Sequence, residues 1–349
     1  MKALVLGGPG KVSCETVPDA TVPDSFGVLV QATQCGLCGS DLHPYHIDTG
    51  NSGYCMGHEA VGEVVEAGRD VKNFKVGDRV LITASIGCGR CKQCLSGNVI
   101  LCEIKPRTCF GQGLPDIGGC QAEAIAVPAA DNNLWHLPED ISDETGIMLS
   151  DNLATAWYGA RRARVGKGDV VAVIGLGPVG LQCVMAALAM GAERVLGIDL
   201  VADRRAEAVK LGAEAVEHAD SVEGVMAMTN GMGADVVIDA NGGPITTVLA
   251  IDMLRAGGRV SVVGVSEQMS IPFPILQGLR KNFEFHAGIC SVQAELPALF
   301  EAIQQQRLDM QALSAMVTHH MGLSEGSEAY ALFNARKDGV KKIVFDPKR

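Results

Sequence analysis

Two patterns of apolar positions divide the chain. From Met1 to about Val127, short β-prone runs at 2–6, 11–17, 27–33, 60–66 and 79–83 are separated by Gly, Pro and Asp. This spacing predicts a small antiparallel, barrel-like domain. Between Trp135 and Arg164 the pattern turns helical. From Asp169, β-prone runs at 170–175, 194–199, 214–217, 235–239, 259–264 and 283–288 alternate with helical ones at 178–190, 202–211, 221–229, 245–255 and 275–281. That alternation predicts a doubly wound parallel sheet in an α/β domain. Helices near 295–306 and 323–336 follow, and a last run, 340–345, is expected to return to the first domain's sheet. The doubly wound domain, 152–288, is thereby inserted in the other, 1–151 with 289–349, and a cleft between them is expected to hold the chemistry.

The inserted domain opens on VVAVIGLGPVG. Val170, Val171, Val173 and Ile174 suit a strand buried on both faces. Gly175, Gly177 and Gly180, with Leu176, Pro178 and Val179, match G-x-G-x-x-G. The first glycine makes the turn, the second lets backbone approach a pyrophosphate, and the third allows close helix–strand packing. Pro178 fits the first turn of a helix, where its missing N–H costs nothing. Asp199 ends the next strand, where a carboxylate binds ribose hydroxyls. Arg204 and Arg205 lie nearby and an arginine there accommodates a 2′-phosphate. The strand-end acid weighs more, so NAD is expected over NADP.

A chain of 349 residues exceeds one hydrophobic core, in keeping with two domains. The net charge of -11, with no basic run, argues against nucleic acid as a partner. The apolar start is too short for a signal peptide, and no run has the length of a membrane span. A soluble, cytoplasmic protein without membrane attachment is expected, so its 12 cysteines are expected as thiols.

Two groups of those cysteines carry candidate chemistry. Cys88, Cys91, Cys94 and Cys102 stand as C-x2-C-x2-C-x7-C, and four thiolates over so short a loop can close a tetrahedral Zn²⁺ shell. The other group is Cys35-Gly-Leu-Cys38-Gly-Ser40-Asp41-Leu-His43, followed by Gly57-His58-Glu59. Spacing alone leaves this second group open between a catalytic metal, half of a zinc ribbon and a redox pair. Asp151, read locally, is a helix N-cap.

Taken together, the C-G-x-C-G-S-D-x-H run, the G-H-E-x-x-G run, the four-cysteine loop and the G-x-G-x-x-G turn, in that order, resemble the zinc-containing medium-chain alcohol dehydrogenases. The resemblance spans essentially the whole chain. It implies a GroES-like β-barrel catalytic domain and a Rossmann domain. It also implies a catalytic zinc on Cys38, His58 and Asp151, with Glu59 beside it, and a structural zinc on the four clustered cysteines. Asp41 would orient His58 through its ring N–H. Ser40 and His43 would carry a proton to solvent, Thr155 would pack against the nicotinamide, and Val263 and Val265 would belong to the cofactor site. Asp151 departs from the many members with cysteine there and is similar to bacterial secondary-alcohol and formaldehyde-handling members. Cys120 stands where relatives often carry an aromatic, and with Cys14, Cys55, Cys109, Cys183 and Cys290 it reads as a core thiol; Cys35 is left between spectator and substitute for Cys38.

The implied activity is NAD-dependent oxidation of a secondary or small primary alcohol to ketone or aldehyde, by a homo-oligomer (dimer or tetramer). Two alternatives stand beside it. One is a polyol, amino-alcohol or formaldehyde-type dehydrogenase on the same scaffold, decided by loops such as 44–54 and the surroundings of Ala84 and Phe110. The other is a non-catalytic NAD(H)-binding redox sensor with structural zinc alone, against which the intact set Cys38, Ser40, His43, His58 and Asp151 speaks.

Overall fold

The computed structural model describes every residue except Thr49, Arg107, Pro115, His218, Ala219, 266–269 and Pro272. Thr49, inside the 44–54 loop, therefore lies outside the described residues. The chain divides into two compact units: Met1–Asp151 with Cys290–Pro297 and Leu313–Arg349, and Asn152–Ile289 with Ala298–Ala312.

The first unit begins with β1 (Lys2–Gly8), β2 (Lys11–Thr16), β3 (Val28–Leu37), β4 (Tyr54–Cys55), β5 (Ala60–Ala67), β6 (Arg79–Ile82), β7 (Ala124–Val127) and β8 (Leu134–His136). The second unit carries β9 (Val170–Ile174), β10 (Arg194–Ile198), β11 (Glu214–Ala215), β12 (Ala234–Asp239), β13 (Leu254–Val262) and β14 (Glu284–Ala287). The chain then returns to the first unit with β15 (Val317–Gly322) and β16 (Lys342–Asp346).

In the first unit β2, β1 and β4 form a small sheet, and a larger one runs β15-β16-β3-β5-β6-β8 with β7 on β3. Along β3 the burial alternates over Val28, Val30 and Ala32, as a strand with one face in the core requires. These sheets enclose one core that includes Leu4, Val30, Val64, Ile82, Ile125, Tyr330 and Phe345. The expected return of the chain end is met by β16, which pairs antiparallel with β3, Phe345 opposite Cys35. The barrel is not wholly antiparallel, however, because β15 runs parallel to β16. The helix Gly326–Ala335 joins those two strands, and a crossover of that kind allows parallel pairing.

The second unit is a six-stranded sheet of order β11-β10-β9-β12-β13-β14, parallel throughout. Its central strand β9 is apolar on both faces, with Val171, Ala172, Val173 and Ile174 all buried. That continuous burial is what a sheet covered by helices on each side demands. The segment expected to be helical from Trp135 starts instead with β8, three residues that pair with β6. Helices then run Asp143–Ser150 and Asn152–Arg162, the former capped by the Ser142 hydroxyl accepting from the Thr145 N–H. Among the described residues no helix is long and apolar enough to cross a membrane.

Candidate metal centres and nucleotide turn

The four-cysteine loop folds so that one sulfur from each of Cys88, Cys91, Cys94 and Cys102 lies within 4.8 Å of the others. Backbone N–H groups point at these sulfurs: those of Cys94 and Glu103 at Cys91 Sγ (both 3.5 Å), and those of Cys88 and Lys105 at Cys102 Sγ (3.4 and 3.3 Å). Such donors stabilise thiolate. The Cys94 N–H, with that of Glu103, brings Cys91 down to about 6, while burial pushes Cys94 up to about 12. Four soft anionic donors in one shell suit zinc and leave no coordination place over.

The second group also converges. Donor atoms of Cys38, His58, Glu59 and Asp151 lie within 4.8 Å of one another. Cys38 follows the end of β3, and His58 and Glu59 precede β5. Asp151 is the joint between the helices Asp143–Ser150 and Asn152–Arg162. Its carboxylate Oδ2 lies 3.4 Å from Cys38 Sγ and 3.5 Å from His58 Nε2, so it faces the cluster. Ser40 Oγ is 3.3 Å from both Cys38 Sγ and His58 Nε2. Asp41, buried, meets His58 Nδ1 at 3.0 Å through Oδ1, and its Oδ2 accepts the Cys38 N–H at 2.9 Å. His43 lies half-buried in the short helix Leu42–His46 that follows. Cys35 is turned away, its thiol directed at the Ala122 carbonyl, 3.7 Å off.

Charge is distributed unevenly here. Burial pushes the Cys38 thiol up, with Asp151 and Glu59 adding to it. Burial opposes the His58 proton, but Asp41, Asp151 and Cys38 outweigh it and raise His58 well above the usual histidine range. Burial likewise opposes charge on Asp151, yet His58 holds it down at about 2. Glu59 is fully buried and ion-paired through both oxygens with Lys342 of β16, itself 1 % exposed, at 2.6 Å for Oε1.

In the second unit the glycine turn has the shape a diphosphate requires. Gly175 leaves β9 with a φ of +85°, and a side chain on Gly180 would collide with the Gly175 carbonyl. Gly177, the N-cap of the helix Pro178–Ala189, has nothing within 4 Å of where a Cβ would stand, and Val179 lies in its first turn. Asp199 Oδ2 accepts the Leu176 N–H at 2.8 Å and faces Arg204 Nη1 at 3.4 Å, while Arg205 donates to the Asp199 carbonyl at 2.7 Å. Thr155 is half-buried on Asn152–Arg162; Val263 is buried and Val265 is 55 % exposed beyond the end of β13. Of the thiols assigned to the core, Cys120, Cys183 and Cys290 are buried, whereas Cys14, Cys55 and Cys109 are half-buried.

Three residues of these sites carry no motif. Lys342 sits in an apolar strand run, Gln121 follows Cys120, and Asp239 ends β12. Asp239, wholly buried, accepts from the Asn241 and Gly242 N–H groups and from the Thr246 and Thr247 hydroxyls, which fixes the loop after β12. Only Asp239 had a readable signal: an acid ending an apolar strand before a glycine pair, as Asp199 ends β10.

A barrel with two candidate metal sites, joined in one chain to a doubly wound unit with this glycine turn, is the build of a dehydrogenase. Residues 24–139 match the alcohol dehydrogenase GroES-like domain and residues 178–305 match the zinc-binding dehydrogenase domain. A probable zinc-binding alcohol dehydrogenase of Mycobacterium tuberculosis is 40% identical over 348 residues, 99% of this chain and 89% of that protein. The sorbitol dehydrogenase of Bacillus subtilis is 32% identical over 361 residues, 100% and 98% of the two chains. Among solved structures, the alcohol dehydrogenase of Thermus sp. ATN1 superposes with a TM-score of 0.92 at 35% identity, covering 99% of each chain. The chain belongs to the zinc-containing medium-chain alcohol dehydrogenase family and is an oxidoreductase.

Proposed function

We propose that the protein catalyses reversible hydride transfer from a secondary or small primary alcohol to NAD, giving ketone or aldehyde, with one catalytic and one structural zinc per chain. The observation that carries this reading is the convergence of Cys38, His58 and Asp151 beside Ser40. One thiolate, one imidazole and one carboxylate fit a zinc ion and leave a place for a substrate oxygen. Zinc bound there would supply Lewis acidity toward a hydroxyl or carbonyl oxygen. The chain's own groups do the rest. Asp41 fixes the His58 ring with Nδ1 protonated, so Nε2 faces the metal place. Ser40 Oγ would accept the proton leaving the alcohol as it gives up its own hydroxyl proton in the direction of His43, which would pass a proton to solvent. Lys342 neutralises the Glu59 carboxylate beside the cluster. Cys88, Cys91, Cys94 and Cys102 hold the second zinc.

The glycine turn holds the cofactor diphosphate, Asp199 holds the adenosine ribose hydroxyls, and Thr155, Val263 and Val265 line the nicotinamide. The polyol reading stays beside the alcohol reading because a sorbitol dehydrogenase is similar over the whole chain. The test is a panel of primary, secondary and polyhydric alcohols with NAD and with NADP, followed by formation of the reduced cofactor. Turnover of a simple secondary or small primary alcohol with NAD is expected. Turnover restricted to polyols would favour the second reading, and no turnover by protein holding two zinc ions would sink both. In the same assay Asp199→Gly removes a charged hydrogen-bond acceptor and frees Arg204 for a 2′-phosphate. Its NAD preference is expected to narrow by about tenfold to a hundredfold, the factor that 1.5–3 kcal/mol represents; an unchanged ratio would remove Asp199 from the ribose site.

Self-association is part of the proposal. β14 is the edge of the second unit's sheet, and the helix Ile275–Lys281 before it exposes Ile275 (65%), Leu276 (61%) and Leu279 (71%). An open edge beside an apolar helix face suits a second copy of the chain, forming a dimer or tetramer. Leu276→Glu with Leu279→Glu is expected to give monomers by light scattering; a monomeric parent protein would refute the idea.

A further inference from the structure

Behind the mixed cluster a hydrogen-bonded chain runs back into the core of the first unit. Tyr330, fully buried on Gly326–Ala335, donates its hydroxyl to Gln121 Oε1 at 2.8 Å. Gln121, also fully buried, donates through Nε2 to the Gly36 carbonyl at 2.9 Å and to Asp41 Oδ2 at 3.3 Å. The amide has one workable orientation: the carbonyl and the carboxylate only accept, so the NH₂ faces them and the oxygen faces the hydroxyl. Asp41 then meets His58 Nδ1 with one oxygen and the Cys38 N–H with the other. Two of the three proposed metal ligands thus hang on one carboxylate, and that carboxylate is held by Gln121.

The backbone around Gln121 is fixed to the same stretch. Gln121 N–H donates to Met56 O and Cys120 N–H to Gly57 O, at 2.9 and 2.8 Å. Gly57, just before His58, has a φ of +86°, and a Cβ there would collide with Gln121 Cγ. The loop presenting His58 is therefore shaped against this side chain as well as linked to it. Tyr330 in turn is fixed by its ring, 5.5 Å from that of Tyr45, and by the core around it.

We propose that Gln121 and Tyr330 are positioning residues for the catalytic metal: Gln121 sets the Asp41 carboxylate, and through it the His58 ring and the Cys38 backbone, while Tyr330 sets Gln121. The proposal rests on the reading that Cys38, His58 and Asp151 hold zinc. Groups that orient metal ligands in this way are worth roughly 10–100-fold in metal affinity. Burial keeps water from substituting for the lost donor.

The experiment is timed zinc release from the loaded protein to a chromogenic chelator, for the parent, Gln121→Met, Tyr330→Phe and the double variant, with circular dichroism on each. Gln121→Met keeps length and removes the donors. It is expected to speed release of the first zinc by about tenfold or more, and to move the visible bands of protein loaded with cobalt at that site. Tyr330→Phe is expected to do the same to a smaller degree, and the double variant to match Gln121→Met, since the two residues act in series. Release of the second zinc, from the four thiolates, should not change; a general loosening of the fold would speed both. A parental rate and parental cobalt spectrum in folded Gln121→Met would overturn the proposal. If Gln121→Met does not fold, Tyr330→Phe, which lacks one hydroxyl, decides by the same two readouts. A parent protein holding a single zinc would instead refute the metal assignment itself, and the positioning role with it.

Discussion

Asp151→Ala is expected to hold one zinc per chain where the parent holds two, and to lose alcohol oxidation by about a hundredfold or more. The range for groups that merely orient a ligand is roughly 10–100-fold in affinity or activity, and a ligand itself stands above it. Asp151 is the hard donor of a mixed set, 3.4 Å from Cys38 Sγ and 3.5 Å from His58 Nε2. Asp151→Cys supplies a softer donor and is expected to retain zinc more tightly. The same logic orders the two metals under a chelator. A zinc held by Cys38, His58 and Asp151 would keep one coordination position through which a chelator could enter, so activity should go first, with little change in fold. The four-thiolate site is complete and its sulfurs take backbone N–H donors, so its zinc should leave later and with disorder between Cys88 and Cys102. Metal analysis, activity and circular dichroism on the same samples measure this. Full zinc and full activity in Asp151→Ala would return Asp151 to a helix-joint role.

Lys342→Met is expected to cost about 3–5 kcal/mol of stability, because it leaves Glu59 as a buried charge without its partner. Both groups are essentially inaccessible to solvent, Glu59 at 0% and Lys342 at 1%. Burial raises the Glu59 pKa even beside Lys342, and the variant loses the largest of the influences that lower it. A carboxyl whose folded pKa lies above its unfolded value binds more protons when folded, so stability falls as pH rises between the two values. The deficit of the variant should therefore be largest at neutral and higher pH and should shrink as pH falls toward the unfolded glutamate value. Glu59→Gln added to Lys342→Met removes the lone charge and should recover part of the loss. Urea unfolding of zinc-loaded proteins over a pH series measures all three, and a pH-independent deficit would mean that lost packing, not charge, is responsible.

The sheet of the second unit was legible because its central strands β9, β10 and β12 are short apolar runs closed by Gly or Asp, and helices alternate with them. The strands β7, β8 and β15 were not. Leu134-Trp135-His136 is too short to alternate, and His319-His320 in β15 interrupts any apolar pattern. The thiolate site could be read from spacing because its ligands lie within one loop. The mixed site could not be, since Cys38 and Asp151 stand 113 positions apart, and only the resemblance to the zinc-containing medium-chain alcohol dehydrogenases brought Asp151 to it. Gln121 and Lys342 had no signal at all. A buried glutamine 80 positions from Asp41, or a lysine in an apolar strand, is ordinary until the fold brings its partner.

The pairing of Glu59 with Lys342 spans 283 positions, and the segment Asn152–Ile289 lies between them in the chain. Synthesis runs from the amino end, so Cys38, His58, Glu59 and Asp151 are all made well before the cation that neutralises Glu59. Over that interval Glu59 lacks the buried cation that partners it in the folded protein, and β3 still lacks β16 as a neighbour. The four thiolates and the backbone N–H groups pointing at them all lie at or before Lys105. The connectivity therefore assigns the two metal places different times of completion, one early in the growing chain and one after Lys342 has been added.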